Sequence, residues 1–466
     1  MLTRGTMREH QAQGFEFAIN RRDTLLDMFM STGKSKLTVD LIQNWQAGPT
    51  LIVCPKSVKG VWLREFDDWS CLDHKVLVLQ DNWSTKKRAE KAAEWYQLHR
   101  NLAVIVNNYE SVWRKPFNSF IHSHRWGVIA CDESHRIKSH NSKVSQFLSR
   151  VKSEKRLCGS GTVFFHSPLC IFGQARFLDP SYFGFSWHRF QSHYAVLKKI
   201  PDVPVPIVIN YQNEDELTQI YGGFSHFTGK EALDLMPSQH IDIEVKLSPK
   251  GRRVYGEVAE HFISEVENGY VTAANIMVKQ LRLQQITSGA VPFKNLETKE
   301  KGFEVIDSSK EDTLCDMVAD IDRDESVVVF GRFKSDMLAV ERVARRLGRQ
   351  HTELSGRARD ITERSEMLPI PGQLMGVNVR SGGVGIDLTQ ARIFFFFSIS
   401  HTPGDFDQCV YRGNRTNQTR SMTFYHLVAR STIDRVIYRA VRNGRKVIDE
   451  IFKEVRECPQ QMAKAC

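Results

Sequence analysis

Ser31-Thr32-Gly33-Lys34-Ser35-Lys36 lies between an apolar pair, Leu25 and Leu26, and a stretch with Leu37, Leu41, Ile42 and Trp45 at helical spacing. Successive backbone N–H groups in such a turn can wrap a phosphate, and the start of the helix adds partial positive charge. Lys34 would neutralise phosphate, Ser35 would hold Mg²⁺, and Thr32, Gly33 and Lys36 would complete the loop. About 100 residues later, Asp132-Glu133-Ser134-His135 follows the apolar run at 127–131. A carboxylate at the C-terminal end of a parallel strand faces the ligand crevice. There Asp132 would enter the Mg²⁺ shell and Glu133 would orient or deprotonate a water. Near the end of the chain, QCVYRGNR (408–415) sets Arg412 and Arg415 three residues apart, on one face of a predicted helix. Arginines of this kind can stabilise charge on a transferring γ-phosphoryl group. Each segment also has a plain alternative: a glycine turn capping a helix, an acidic N-cap, a solvated basic face.

Elements that position these groups are legible in the apolar pattern. Short runs at 50–54 (TLIVC), 102–107 (LAVIVN) and 127–131 (GVIAC) predict buried strands with helices between them. Strands alternating with helices predict a parallel sheet covered on both faces. The pattern restarts at 326–330 (SVVVF), continues through a helix carrying Met337, Val340, Val343 and Leu347, and adds strands at 373–379, 392–398 and 422–428. Between these units, 180–300 mixes strand and helix. Ser248-Pro249 opens a helix as N-cap and first helical residue, with Val254, Val258, Phe262 and Val266 on one face. The predicted fold is α/β with two tandem lobes, 1–235 and 236–466, the second beginning with a helical insertion at about 248–300.

At 466 residues the chain is long enough for two to four domains of ~100–200 residues. Its longest apolar run, IFFFFSI at 393–399, falls short of the ~18 residues of a membrane span. The first residues lack the apolar stretch of a signal peptide. Nine cysteines are scattered singly with no C-x-x-C pair, which argues against a metal cluster or disulfide framework and for a reducing cytoplasm. Net charge is +10, with basic residues recurring at 56–64, 136–156, 342–349 and 430–446; charge alone fits equally a polyanionic partner held by several loops and a soluble protein that is simply basic.

These segments, in this order, resemble superfamily 2 helicases and translocases and, among them, the Swi/Snf-type ATPases. The likeness is greatest to the short single-chain members of bacteriophages and bacteria. It is carried by STGKS (31–35), LIVCPKSVKGVWLREFDDW (51–69), NNYE (107–110), DESHRIKSHNSK (132–143), SGTVFFHSPLCIFGQARFLDP (160–180), RLQQITSG (282–289), VVVFGRF (327–333), RSGGVGIDLTQA (380–391) and DQCVYRGNRTNQ (407–418). The resemblance implies two RecA-like lobes, with ATP and Mg²⁺ as ligands. It implies that Gln11 reads adenine, that Gly385 and Asp387 link ATP to nucleic acid, and that Gln408 stands beside the arginine fingers Arg412 and Arg415. It places Lys56, Ser57, Arg332, Ser381 and Thr389 on the phosphates of the track.

Three departures stand out. Phe29 and Ser31 replace the acidic residue and glycine usual in the first motif, Val163 replaces the proline of the third, and Asp387 stands where Asn is common in the fifth. Losing a glycine in a phosphate loop restricts φ. No charged catalytic group is lost. The expected function is an ATP-driven translocase on duplex or branched DNA in replication, repair or recombination, binding largely without sequence preference and able to act as a monomer in a prokaryotic or phage-infected cytoplasm. The alternatives are a strand-separating helicase acting on DNA or RNA, and a degenerate nucleic-acid-binding accessory protein with little ATPase activity.

Overall fold

The computed structural model describes residues 1–164, 167–199, 206–267, 273–294, 301–356, 369–379, 386–416 and 418–444. The chain divides into two compact units, Met1–Asp234 and Leu235–Cys466. Unit 1 contains β1 (Asp23–Met28), β2 (Thr50–Cys54), β3 (Lys75–Val78), β4 (Ala103–Asn108), β5 (Trp126–Asp132), β6 (Ser153–Ser160), β7 (Ala195–Lys198), β8 (Ile207–Tyr211) and β9 (Ser225–Thr228). Seven of these form one sheet in the order β3-β4-β2-β5-β6-β1-β9, and every pair in it is parallel. β7 and β8 form a separate antiparallel hairpin.

The central strands β1, β2 and β4 are buried along their whole length, which is why β2 and β4 read as apolar runs rather than alternating ones, while β1 (DTLLDM) shows only its apolar pair Leu25 and Leu26. β6 gave no such signal. Its SEKRL start carries charges, yet Arg156 is buried, its guanidinium donating to the carbonyls of Phe177 and Val151.

Unit 2 contains β10 (Ser238–Val245), β11 (Ala290–Lys294), β12 (Lys301–Val305), β13 (Val327–Gly331), β14 (His351–Leu354), β15 (Leu374–Asn378), β16 (Ile393–Phe396) and β17 (Met422–Ala429). Its parallel sheet runs β10-β17-β16-β13-β15-β14. The phenylalanine run alternates across it: Phe394 and Phe396 join one core, Phe395 and Phe397 the other. The predicted insertion is only partly helical. Helices Pro249–Glu267 and Ala273–Thr287 are followed, after Gly289 at φ 90°, by the antiparallel hairpin β11–β12. Val254 and Val258 pack against the core as expected, and the side chains of Phe262 and Val266 lie outside the described residues. Among the described residues no helix is long and apolar enough to cross a membrane.

A buried ion pair ties unit 2 together. Lys310 Nζ lies 2.6 Å from Asp434 Oδ2, both side chains 2% exposed, and also donates to the Phe397 carbonyl at 3.0 Å. Asp434 accepts from Thr287 Oγ1 at 2.7 Å and Ala429 N at 3.2 Å. Four segments of the lobe thus meet on one carboxylate. Removing one partner leaves an uncompensated buried charge. Asp434→Ala is therefore expected to destabilise unit 2 by roughly 3–5 kcal/mol, and Lys310→Met/Asp434→Leu by much less. Urea unfolding of the two variants checks this; equal losses would show that packing, not charge, sets the cost.

Candidate nucleotide site and nucleic-acid contacts

β1 ends at Met28 and the helix Lys34–Trp45 begins six residues later, leaving a tight loop. Two residues take the left-handed conformation, Ser31 at φ 64° and Gly33 at φ 81°. Ser31 thus adopts the backbone that glycine adopts freely, at a cost that glycine avoids. Thr32 closes the turn, its Oγ1 donating to the Phe29 carbonyl at 2.6 Å. Two side chains from the helix Glu9–Ile19 hold the outside: His10 Nε2 lies 2.9 Å from the Thr32 carbonyl, and Gln11 Nε2 donates to it at 3.1 Å. Gln11 Oε1 accepts from Arg8 N at 3.0 Å. Gln11, which the resemblance implies reads adenine, thus holds the outside of the loop that follows β1.

Lys34 Nζ donates to the Met28 carbonyl at 2.6 Å and the Phe29 carbonyl at 3.0 Å, so its ammonium lies against the loop it would help to charge. Ser35 occupies the second position of the helix. Lys36, expected at the nucleotide, is buried on another side. It bonds Asp40 Oδ2 at 2.6 Å and Thr3 Oγ1 at 3.1 Å and lies over the Trp69 ring. The i,i+4 spacing on the helix puts Asp40 within its reach, and a buried ammonium needs that partner.

The acidic segment ends β5. Because β5, β6 and β1 are neighbours in register, Asp132 pairs with Gly159 and Asp27 with Ser160, so both segments end at one edge of the sheet. Burial, then Glu133, pushes the Asp132 carboxyl up to about 7, against Lys34 and a hydrogen bond from Trp62. Tyr109 donates to the Asp132 carbonyl at 2.7 Å. Burial also raises Asp27, which takes the Tyr221 hydroxyl and feels Lys34. Glu133 sits at φ 53°, a strained backbone for a side chain of its size.

His135 Nδ1 lies 3.2 Å from Glu133 Oε2, 3.2 Å from Ser160 Oγ and 3.3 Å from Thr162 Oγ1. Ser134 Oγ donates to Gln174 Oε1 at 2.7 Å, and Gln174 Nε2 donates to the Val163 carbonyl at 3.1 Å. The acidic and third motifs are therefore joined twice. His10, Trp62, Tyr109, Gln174 and Tyr221 were invisible to spacing, because each reaches the site from a distant segment.

The donor set suits Mg²⁺ carried by a phosphate ligand. Asp132 is a half-buried carboxylate whose desolvation a cation would relieve, and Ser35 offers a hydroxyl at the head of the helix. Among the described residues no group of three or more His, Cys, Asp or Glu forms a protein-only cage, and Mg²⁺ is ordinarily held by one or two carboxylates plus substrate phosphates.

Of the residues implied on the track, Lys56 and Ser57 lie in the short turn after β2, Lys56 exposed and Ser57 half-buried. Arg332 follows β13. Its N–H donates to Asp336 Oδ2 at 3.0 Å and Ser398 Oγ at 2.8 Å, and its Nη1 to Gln284 Oε1 at 2.5 Å. Thr389 donates through N and Oγ1 to Asp387 Oδ1, at 3.0 and 2.7 Å. Gly385 and Ser381 lie outside the described residues.

Gln408 and Arg412 are half-buried on the helix Pro403–Gly413. Arg415 is not on that helix, contrary to the expected i,i+3 pair. Gly413 and Asn414 end it, both poor helix formers. Gly413 is needed where it stands, since a Cβ there would come within 2.2 Å of the Phe394 ring. Arg415 is instead held by the fifth motif: Nη2 donates to the Ile386 carbonyl at 2.8 Å, and Nη1 lies 3.7 Å from Asp387 Oδ2. Leu388 N donates to the Arg412 carbonyl at 3.0 Å, so the last two motifs are tied together.

Gly33 tests the loop directly. A Cβ there would lie 2.1 Å from Gln11 Nε2, on a backbone at φ 81°. Gly33→Ala is expected to weaken nucleotide binding by about tenfold or more, on the ~1–2 kcal/mol cost of a side chain in this conformation plus the clash. Titration with a fluorescent ATP analogue measures it; wild-type affinity would remove this turn from the nucleotide site.

A family model, SNF2-related domain, matches residues 7–289, more than half of the chain. Among curated proteins, the chain is 22% identical over 458 residues to "Chromodomain-helicase-DNA-binding protein 1-like" of Danio rerio, covering 94% of this chain and 42% of that protein. It is 23% identical to "ISWI chromatin-remodeling complex ATPase ISW1" of Saccharomyces cerevisiae, covering 95% of this chain and 40% of that protein. It is 22% identical to "DNA repair and recombination protein RDH54" of the same species, covering 83% of this chain and 44% of that protein. The chain thus spans about two fifths of the length of these relatives. With a family match that runs from before the phosphate loop to the end of the RLQQITSG segment, the chain belongs to the SNF2-related domain family.

Proposed function

We propose that this chain is a nucleic-acid-dependent ATPase that uses hydrolysis to move along duplex or branched DNA. The observation that carries the reading is the convergence of Lys34, Asp132 and Glu133 at one edge of the unit 1 sheet, with His135 joining the acidic segment to the third motif. Relatives named as a helicase and DNA-binding protein, a remodelling ATPase and a DNA repair and recombination protein support a DNA track. A reducing cytoplasm fits the described cysteines, which are all free thiols.

In this reading the loop N–H groups and Lys34 bind the β- and γ-phosphates. Ser35 and Asp132 would hold Mg²⁺, which when bound neutralises charge on the phosphate oxygens. Glu133 orients the attacking water and receives its proton at the carboxylate. His135, 3.2 Å from that carboxylate, fixes its direction and senses the third motif. Arg412 and Arg415 stabilise charge that develops on the γ-phosphoryl group. Lys56, Ser57, Arg332 and Thr389, with Ser381, grip backbone phosphates, which makes binding salt-dependent and largely indifferent to sequence.

One observation favours a second reading. The β7–β8 hairpin stands apart from the sheet with Ile207 and Ile209 exposed, an apolar edge suited to splitting a base pair. Unwinding of a forked duplex with a labelled strand separates a helicase from a translocase, which would hydrolyse ATP on the fork without releasing that strand.

The deciding experiment is ATP hydrolysis with no nucleic acid, single-stranded, duplex and forked DNA, and RNA. Stimulation by duplex or forked DNA is expected. Lys34→Ala should abolish turnover while DNA affinity stays within about threefold, because Lys34 meets the nucleotide. Glu133→Gln should retain ATP binding and lose ~10²–10⁴ in rate. Normal turnover in either would reassign these residues.

The arginines give a separate test. Arg412→Ala is expected to lower kcat by ~10³ or more with little change in nucleotide affinity. Arg415→Ala should do the same and also loosen the fifth motif, since Arg415 holds the Ile386 carbonyl. Single-turnover hydrolysis with and without duplex DNA reads both; wild-type rates would make this a solvated basic surface.

A further inference from the structure

At the edge of the unit 1 sheet that carries the phosphate loop, three cations meet one carboxylate. Asp81 follows β3, Lys56 follows β2, and Asn108 ends β4, three neighbouring strands. Lys59 Nζ lies 2.6 Å from Asp81 Oδ1 and also donates to the Leu79 carbonyl at 2.6 Å. Asn108 Nδ2 donates to the same Oδ1 at 3.2 Å. Arg88 Nη2 donates to the Asp81 carbonyl at 3.1 Å and lies 4.0 Å from Oδ1. Lys56 Nζ reaches the other oxygen, Oδ2, at 3.4 Å.

Burial divides the cluster. Side-chain exposure is 2% for Lys59 and 6% for Arg88, but 30% for Asp81 and 50% for Lys56. Lys59 and Arg88 are fixed inside the protein, and Arg88 Nε is buried without a hydrogen-bond partner. They commit Oδ1. Although burial pushes the Asp81 carboxyl up, Lys59 and Lys56 outweigh it and hold it below the usual carboxylate range. The Lys56–Asp81 pair is the long and exposed one, and such pairs contribute little to stability. Three positive charges against one negative leave room for a second anion, and the open side of the cluster is the Lys56 side.

We propose that Asp81 is a resident counter-ion for Lys56, which a backbone phosphate of the nucleic acid displaces. Asp81 positions the Lys56 ammonium while the track is absent and repels the phosphate that takes its place. It thereby lowers affinity at this contact and eases release, which a protein that steps along a track requires. This rests on the DNA reading above.

The test is the binding of a fixed-length DNA duplex across a salt series, by fluorescence anisotropy. Asp81→Asn keeps the shape and removes the charge. It is expected to tighten binding at low salt by ~3–10-fold, the size of one unit-charge repulsion at partly screened distance. It should also steepen the log–log salt slope by only a fraction of the ~0.9 of one phosphate contact, because Lys56 meets the phosphate in both proteins and only the salt-screened Asp81 repulsion is lost. In a Lys56→Ala background the gain should vanish. Lys59→Met/Asp81→Asn removes the buried cation with its counter-ion and should show the same gain even where Asp81→Asn alone melts early.

Unchanged or weaker binding in the folded variants overturns the proposal. So does a gain that persists without Lys56, which would be general electrostatics rather than exchange at this lysine. A wild-type chain with no salt-dependent DNA binding fails the functional reading itself. Intact DNA-stimulated hydrolysis with unaltered Asp81→Asn binding fails only the counter-ion.

Discussion

Lys34 carries the charge on which the nucleotide site turns. Its ammonium accounts for part of the environment of two carboxylates, the buried Asp27 and the half-buried Asp132, and is itself held by the loop carbonyls of Met28 and Phe29. Without it, two acids already raised by desolvation would each lose the cation that lowers them. The parallel sheet makes the arrangement available. All seven strands of the main unit 1 sheet run the same way, so the loop after β1, the acid at the end of β5 and the Lys56 turn after β2 must emerge at one edge. An antiparallel strand among them would have sent one of these groups to the far side.

Two of the strained backbone positions lie where this chemistry does. Ser31 and Glu133 both take positive φ without being glycine. Such residues persist only where their surroundings over-determine them, and here those surroundings are visible: His10 and Gln11 bracing the loop, His135 and Tyr109 bracing the acidic segment. Gln11 shows how one residue can hold the loop in position. Its amide is engaged at both ends, on Arg8 and on Thr32, so the loop keeps its shape through the helix that precedes β1.

Much of this was legible in the residues alone, for stated reasons. Strands buried on both faces are continuous apolar runs, so β2, β4, β5, β13, β16 and β17 were read close to their observed bounds. β10 was not: it is an edge strand whose residues are mostly exposed, and its SQHIDI sequence carries no apolar run. Motif spacing located the loop, the acids and the arginines, but spacing says nothing of where a side chain turns. Lys36 turned to Asp40 because the next turn of its own helix offered a carboxylate. Arg415 left the helix because a glycine pressed against Phe394 ended it. The bracing residues came from distant segments, 22 residues away for His10 and Thr32 and 194 for Tyr221 and Asp27, and no local pattern announces such a partner.

The departures from the usual family pattern can now be weighed against geometry. Ser31 keeps the backbone that a glycine would have, so the loop retains its shape at the cost of local strain. Val163 lacks the rigidity of a proline, yet its carbonyl is held by Gln174, whose other end binds Ser134 of the acidic segment, and the side chain is buried. The contact between the acidic and third motifs therefore does not depend on the residue type at 163. It runs through a backbone carbonyl, and through His135 to Ser160 and Thr162. Phe29 removes a carboxylate from the loop, but Asp27, two residues earlier near the end of β1, sets a buried one within the field of Lys34. At these three positions of the nucleotide lobe the loop still takes a left-handed residue at 31, the third motif is still held through a carbonyl, and a carboxylate still lies in the field of Lys34. That argues for a working ATPase over a vestigial one.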